Sequence, residues 1–423
     1  MNRPNKIFAV VLSALLVLLA FDFILLSESE SATRRAPVRR PATPQIFASG
    51  NGTQRSPHII RTAAQLSAFA ASVNNGETYD GRFIRLGANI DLRNVHWTPI
   101  GFYDAVGGTR PFKGSFDGAG FTIFNMGAGN EARRPASAFF GALDGATINR
   151  ACLQFVNVAG ESNVGGLVGF MTGSTLKNSS VSGSVRGQYA IGGIVGSALS
   201  GFLENCYFSG SVTGESGVGG LAGAVDRVAM RFCKVSGHVD GNIDVGGFVG
   251  GILDGMIIDG VADTVVVNGE RNVGGFAGNM IEGGRIEGVT FNGQVRGNAR
   301  VGGIVGRMTT GAIVRGSVTG SVRGRAHTGG IIGEFIDGEI RRCVTTASVD
   351  GIIDIGGIAG RMLAGIMRDN VNHGMINGGE AVGGLVGNFA STEALGFALA
   401  NNRNTGHVGG HFSSGPLVGA GTQ

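Results

Sequence analysis

Histidines, cysteines and paired carboxylates are the side chains that hold metals, attack carbonyls and move protons. The chain has 7 His, at positions 58, 96, 238, 327, 373, 407 and 411. None opens a His-Glu-x-x-His helix, so the zinc-peptidase arrangement has no site here. His407 and His411 have i, i+4 spacing, but Gly409 and Gly410 between them oppose the helix that would aim both at one metal. Isolated surface histidines are therefore expected. The phosphate loop Gly-x-x-x-x-Gly-Lys-Ser/Thr does not occur, nor does a Gly-x-Ser-x-Gly elbow or a calcium-binding nonapeptide array. Glycosidases and lyases need converging carboxylates. Asp254, Glu282 and Asp337 are instead spread along the chain. Trp97 and Tyr103 could stack a sugar, although core or cap packing is the expectation for both. No cofactor or metal is expected.

The elements that would position these residues are set by a repeat. Nine Gly-Gly pairs begin at 165, 192, 219, 246, 274, 302, 329, 356 and 383, in steps of 27 or 28. Counting from the first Gly of each pair, positions −5 and +4 are Gly in all nine. Position −7 is Val except for Ile376, and positions −1, +2 and +6 are mostly apolar. Apolar columns separated by Gly columns suit short strands joined by tight bends. Gly is 78 of 423 residues, too many for a helical bundle. The period is too short for a propeller blade. The reading is all-β: a parallel β-helix (β-solenoid) of 27–28-residue coils, with an N-terminal cap containing one short helix. Val185, Val212 and Val239 should form one inward stack. Ser137 to Gly141 reads as a degenerate first unit, and Gly409-Gly410-His411-Phe412 as a frayed last one.

The cap should hold a helix over 62–73, with Thr62 and Gln65 forming a capping box. Residues 83–92 and 112–124 should be strands. The domain plan is 1–26 signal peptide or signal-anchor, 27–45 linker, 46–130 cap, and 131–423 repeat solenoid with degenerate end units. Ile7 to Leu26 is an apolar run preceded by Arg3 and Lys6, which directs export and is the one membrane contact expected. Beyond residue 45 the chain has 28 basic and 27 acidic side chains, so the formal +4 charge is mostly the leader's. No basic stripe interleaved with aromatics appears, and nucleic acid is excluded as a partner.

Two columns carry candidate function. Cys152, Cys206, Cys233 and Cys343 all stand at position −13, and one small, mostly buried stack explains them. Only Cys206 and Cys233 occupy adjacent coils, at a spacing a disulfide allows; stacked thiols without a bond are the expectation. At position −6, Arg296 lies beneath Arg323. With Arg300 and Arg325 they make a candidate contact for an anionic glycan, unless Asp350 and Glu334 neutralise the patch.

Gly192-Gly193-Ile194-Val195-Gly196 and Leu203-Glu204-Asn205-Cys206-Tyr207-Phe208-Ser209-Gly210-Ser211-Val212-Thr213-Gly214 resemble the GLUG repeat of bacterial surface proteins. The resemblance covers about residues 137–411. Gly50-Asn51-Gly52-Thr53, Trp97-Thr98-Pro99-Ile100-Gly101 and the stretch from Phe112 to Ile123 resemble the segment that often opens such regions, with Phe121 in place of its usual His. The resemblance implies adhesin-like proteins and large secreted peptidases alike. The expected function is that of an exported cell-surface or secreted repeat protein, acting in adhesion or binding without catalysis. Its partner would be an extracellular or surface polysaccharide, or a host surface. A β-helix carbohydrate-active enzyme and a structural envelope spacer are the alternatives.

Overall fold

The computed structural model describes residues 45–93, 95–103, 108–128, 136–390, 397–415 and 417–421. The leader and almost all of the linker lie outside them.

Residues 45–423 form one unit, a parallel β-solenoid of about 12 coils. One coil shows the pattern. Ser180–Arg186 and Tyr189–Gly192 belong to one sheet, and Val195–Glu204 to the other. The next coil repeats it as Tyr207–Thr213, Ser216–Gly219 and Ala222–Arg231. Later coils divide the third strand, as in Val249–Ile252 and Gly255–Ile258. Successive coils pair in parallel, at the ~4.8 Å spacing of neighbouring strands. Val185 pairs with Val212 and Val212 with Val239, all three buried, so the expected stack is present. Phe248 and Phe276 stack one coil apart, with ring centroids 4.5 Å from each other. Full burial of each such side chain stabilises by about 1.5–3 kcal/mol.

Two Gly columns are demanded by close approach. A Cβ on Gly193 would lie 2.3 Å from the Gly220 carbonyl oxygen, in the next coil. A Cβ on Gly196 would lie 2.3 Å from the Asn163 carbonyl carbon, where the second and third strands press together. The corner before each Gly-Gly pair turns through a left-handed residue at position −2. That residue is not always Gly: Asn163, Ala190, Asp244, Asn272, Arg300, His327, Asp354 and Ala381 all have φ between 53° and 58°.

At the N-terminus a helix, Ala63–Asn74, closes the first coils with Leu66, Phe69, Ala70 and Val73 buried. Thr62 caps it, its hydroxyl accepting from the Gln65 N–H at 3.2 Å. The reciprocal half of the box is displaced by one residue, because Gln65 Oε1 accepts from the Arg61 N–H at 2.9 Å. The two long strands expected in the cap are each broken by a corner. One becomes Phe83–Leu86 and Ile90–Asp91, and the other Ser115–Asp117 and Thr122–Phe124. The second corner turns at Ala119 (φ 55°) and Gly120 (φ 87°). One core cluster runs from Ile60 to Phe389.

At the first unit, Phe140 pairs with Val168. The last unit differs from expectation. Gly410 pairs with Gly378, a position −5 glycine, and Gly415 pairs with Gly383. Gly409-Gly410 therefore does not continue the Gly-Gly column; the last step is longer, and Gly415 takes the pair position.

Candidate binding surface

The first strand of each coil buries alternate residues and turns the others to solvent. Ser180, Ser182, Ser184 and Arg186 lie on the outer face of one coil, and Tyr207, Ser209, Ser211 and Thr213 on the next. The face continues through Thr290, Asn292, Gln294 and Arg296, then Ser317, Thr319, Ser321 and Arg323. Hydroxyls, amides and charges thus run in columns along the solenoid. Several are joined in ladders: Ser236 donates to Ser209 at 3.2 Å, and Thr319 to Asn292 at 3.1 Å. A shallow open groove crosses three coils of this face. It is lined by Thr264, Val265, Val266, Asn292, Gly293, Gln294, Gly320 and Ser321.

Arg296 and Arg323 pair in register at its border, and both are exposed. Arg323 reaches Asp350 at 3.5 Å, while Arg296 donates to Gln294 at 2.5 Å. Arg325 is exposed beyond the following bend. Arg300 does not join them. Its left-handed backbone places it at the seam between second and third strands, where Nε lies 2.8 Å from Glu334 Oε2. The four arginines are therefore not one cluster.

That seam carries a second polar row that reading the sequence by columns missed. Position −2 of one coil meets position +5 of the next. Asn388 donates to Asp354 at 2.9 Å, and Ser197 to Asn163 at 2.5 Å. Glu334, nearly buried, faces Arg300, Arg307 and Arg361 together. His327 Nδ1 lies 2.7 Å from Asp354 Oδ2. Asn272 donates to Asp244 at 2.7 Å, and burial raises the Asp244 carboxyl above its ordinary value. A periodicity of acidic and basic residues at −2 and +5 was the available signal, visible only once those two positions are known to touch.

The cysteine column needs one correction. Ser179, Cys206, Cys233 and Cys343 are buried in it, but Cys152 pairs with Ser180 and stands one place outside. Ala151 takes the buried position. An extra residue in that strand, Phe155 at φ 58°, shifts the count from the Gly-Gly pair. Thr264 at φ 55° does the same four coils later, so Gly260, not Val261, fills the column. Cys206 and Cys233 are stacked and free. Their mutual hydrogen bond, then burial, pushes Cys206 up; burial pushes Cys343 to about 12.

Trp97 is core: it is buried, stacks on Phe139 at 5.0 Å, and donates to the Phe139 carbonyl at 3.2 Å. Tyr103 stacks on Phe170 at 4.2 Å. The two rings form no sugar platform. Among the described residues no group of three His, Cys, Asp or Glu could hold a metal ion. Nor is any helix among them long and apolar enough to cross a membrane.

The chain is similar to known proteins in three respects. Over 145 residues, 32% of its length, it is 31% identical to halomucin of Haloquadratum walsbyi, and it spans 2% of that protein. A crystal structure from Bacteroides ovatus, provisionally described as an immunoglobulin A1 protease, aligns over 88% of this chain and 87% of its own, with 18% identity and a TM-score of 0.34. Residues 160–186 and 187–213 each match the GLUG motif. Those two matches are two successive coils of the solenoid, and the chain carries the GLUG motif there.

Proposed function

We propose that this is an exported, surface-associated protein that binds or adheres through its repeat face and has no catalytic activity of its own. The observation that carries this reading is the continuous outer face of hydroxyl, amide and charged columns. Two carboxylates of low exposure are engaged in ion pairs. Arg85 and Arg150 hold Asp117, and three arginines surround Glu334. The GLUG repeats, of a kind bacterial surface proteins carry, and the stretch shared with halomucin support surface association. The apolar run from Ile7 to Leu26 supplies the route of export.

The test is the full chain expressed with an epitope tag in a bacterial host. Protease treatment of intact cells should remove the tag, and the purified chain should be retained by glycans or cell surfaces without altering them. Cytoplasmic retention, or turnover of a polysaccharide by the purified chain, would overturn the reading.

A further inference from the structure

The groove and the guanidinium column meet on one strand face. Arg296 and Arg323 lie two residues beyond Gln294 and Ser321, which line the groove. Residues two apart on a strand share a face. Above and below, the same column is occupied with its own bonds: Asn268 donates to Asp240 at 2.7 Å, and Asn377 to Asp350 at 3.1 Å. Among the described residues Arg296 and Arg325 have no carboxylate partner, and Arg323 has Asp350 alone, at 3.5 Å. The Arg296–Arg323 end of the groove is therefore positive although the chain beyond its leader is nearly neutral, while at the other end Asn292 donates to the exposed Asp263 at 2.8 Å. Two like charges paired across adjacent strands repel, and an anion seated between them relieves that repulsion.

We propose that this groove binds an acidic polysaccharide lying along the solenoid axis. Its carboxylate or sulfate groups rest on Arg296 and Arg323, whose forked donors match such oxygens. Its hydroxyls meet Asn292, Gln294 and Ser321, which both donate and accept. The coil rise of ~4.8 Å is comparable with the length of one sugar unit, so successive coils present the same contact to successive units. The groove lining has no aromatic ring on which a base could stack, which disfavours single-stranded nucleic acid. Its strands are paired on both sides, so no edge is free for an added peptide strand. This inference rests on the surface-binding reading and specifies the ligand and its place.

The experiment measures binding of the full chain to polygalacturonate, dextran sulfate, neutral dextran and single-stranded DNA. It compares the parent with the double variant Arg296→Ser, Arg323→Ser. A control, Arg227→Ser with Arg231→Ser, removes the same charge from the third-strand face of an earlier coil. The expected result is binding of an acidic glycan but not dextran, weakened about tenfold or more in the groove variant, as loss of charged hydrogen bonds predicts. The control should bind like the parent, and all melting temperatures should agree. Equal weakening in both variants, or DNA bound as tightly as the glycans, overturns the site. If the parent is surface-exposed and binds other glycans or cells with the groove variant unaffected, the site fails while the surface-binding reading stands. No binding together with no surface exposure removes both.

Discussion

Arg300 Nε lies 2.8 Å from Glu334 Oε2, across 34 residues of chain. The contact exists because position +4 is Gly. Without a Cβ there, the third strand of one coil presses against the second strand of the coil before it, and positions −2 and +5 meet. Glu334 then also receives Arg307 at 3.1 Å and Arg361 at 3.5 Å, with 6% of its side chain exposed. One carboxylate thus ties three coils together.

Replacing Glu334 by Gln keeps the shape and removes the charge. Breaking a buried ion pair from one side costs about 3–5 kcal/mol. The three arginines keep roughly a third of their side-chain surface in water, so screening lowers the expected loss to about 2 kcal/mol. Urea unfolding of E334Q checks this. A loss under about 0.5 kcal/mol, the scatter of ordinary surface substitutions, would show that the seam ladder does not stabilise the coils.

The fold was legible because its core columns repeat with little variation: Val at −7 and Gly at −5 and +4 specify inward stacks and close approaches by themselves. The corners were not. Gly is the residue that best tolerates positive φ, yet the left-handed position −2 is held by Arg300, His327 and Ala190 among others. Tertiary pairing on both sides of the corner overrides the preference that would have revealed it. The polar seam stayed hidden for the same reason, since −2 and +5 are neighbours only through that corner. Counting fixed offsets also misplaced Cys152, where Phe155 adds one residue to its strand. Arg296 and Arg323 were legible because they share one column inside a regular strand.

Thr328 offers a test of packing. It lies in the position −1 column between Val301 and Ile355, fully buried, and its hydroxyl has no hydrogen-bond partner among the described residues. A hydroxyl buried in this way costs about 1–3 kcal/mol in proteins. Val has nearly the same shape. Thr328→Val should therefore raise stability by about 1 kcal/mol, and Val301→Thr should lower it by a similar amount. A lower melting temperature for T328V would reveal a partner for the hydroxyl.

The thiols should differ sharply in reactivity. The thiolate is the nucleophile, and burial holds Cys343 at about 12. Cys206 and Cys233 are also buried, while Cys152 is half-exposed outside their column. Reduced native protein at pH 8 should label rapidly with a disulfide reagent at one cysteine, Cys152. All four should label once the chain is unfolded in guanidinium. Fast labelling of Cys343 in the native state would contradict its place in the core column.

Asp244 should make stability depend on pH in the direction opposite to most carboxylates. Burial is the largest influence on it and raises its pKa, against hydrogen bonds from Asn272 and Asn279 and the charges of Arg307 and Arg271. Below the unfolded value, about 3.9, the group is protonated in both states. As pH rises past that value, the unfolded carboxyl ionises freely and the folded one resists. Its contribution to stability therefore falls between the unfolded pKa and the raised folded one, then levels off. Asp244→Asn removes this titration and keeps a residue that tolerates φ near 55°. The difference in melting temperature, variant minus parent, should be more positive at pH 7 than at pH 3. A difference that is flat across that range, or that runs the other way, would show that the bonds from Asn272 and Asn279, not desolvation, govern this carboxylate.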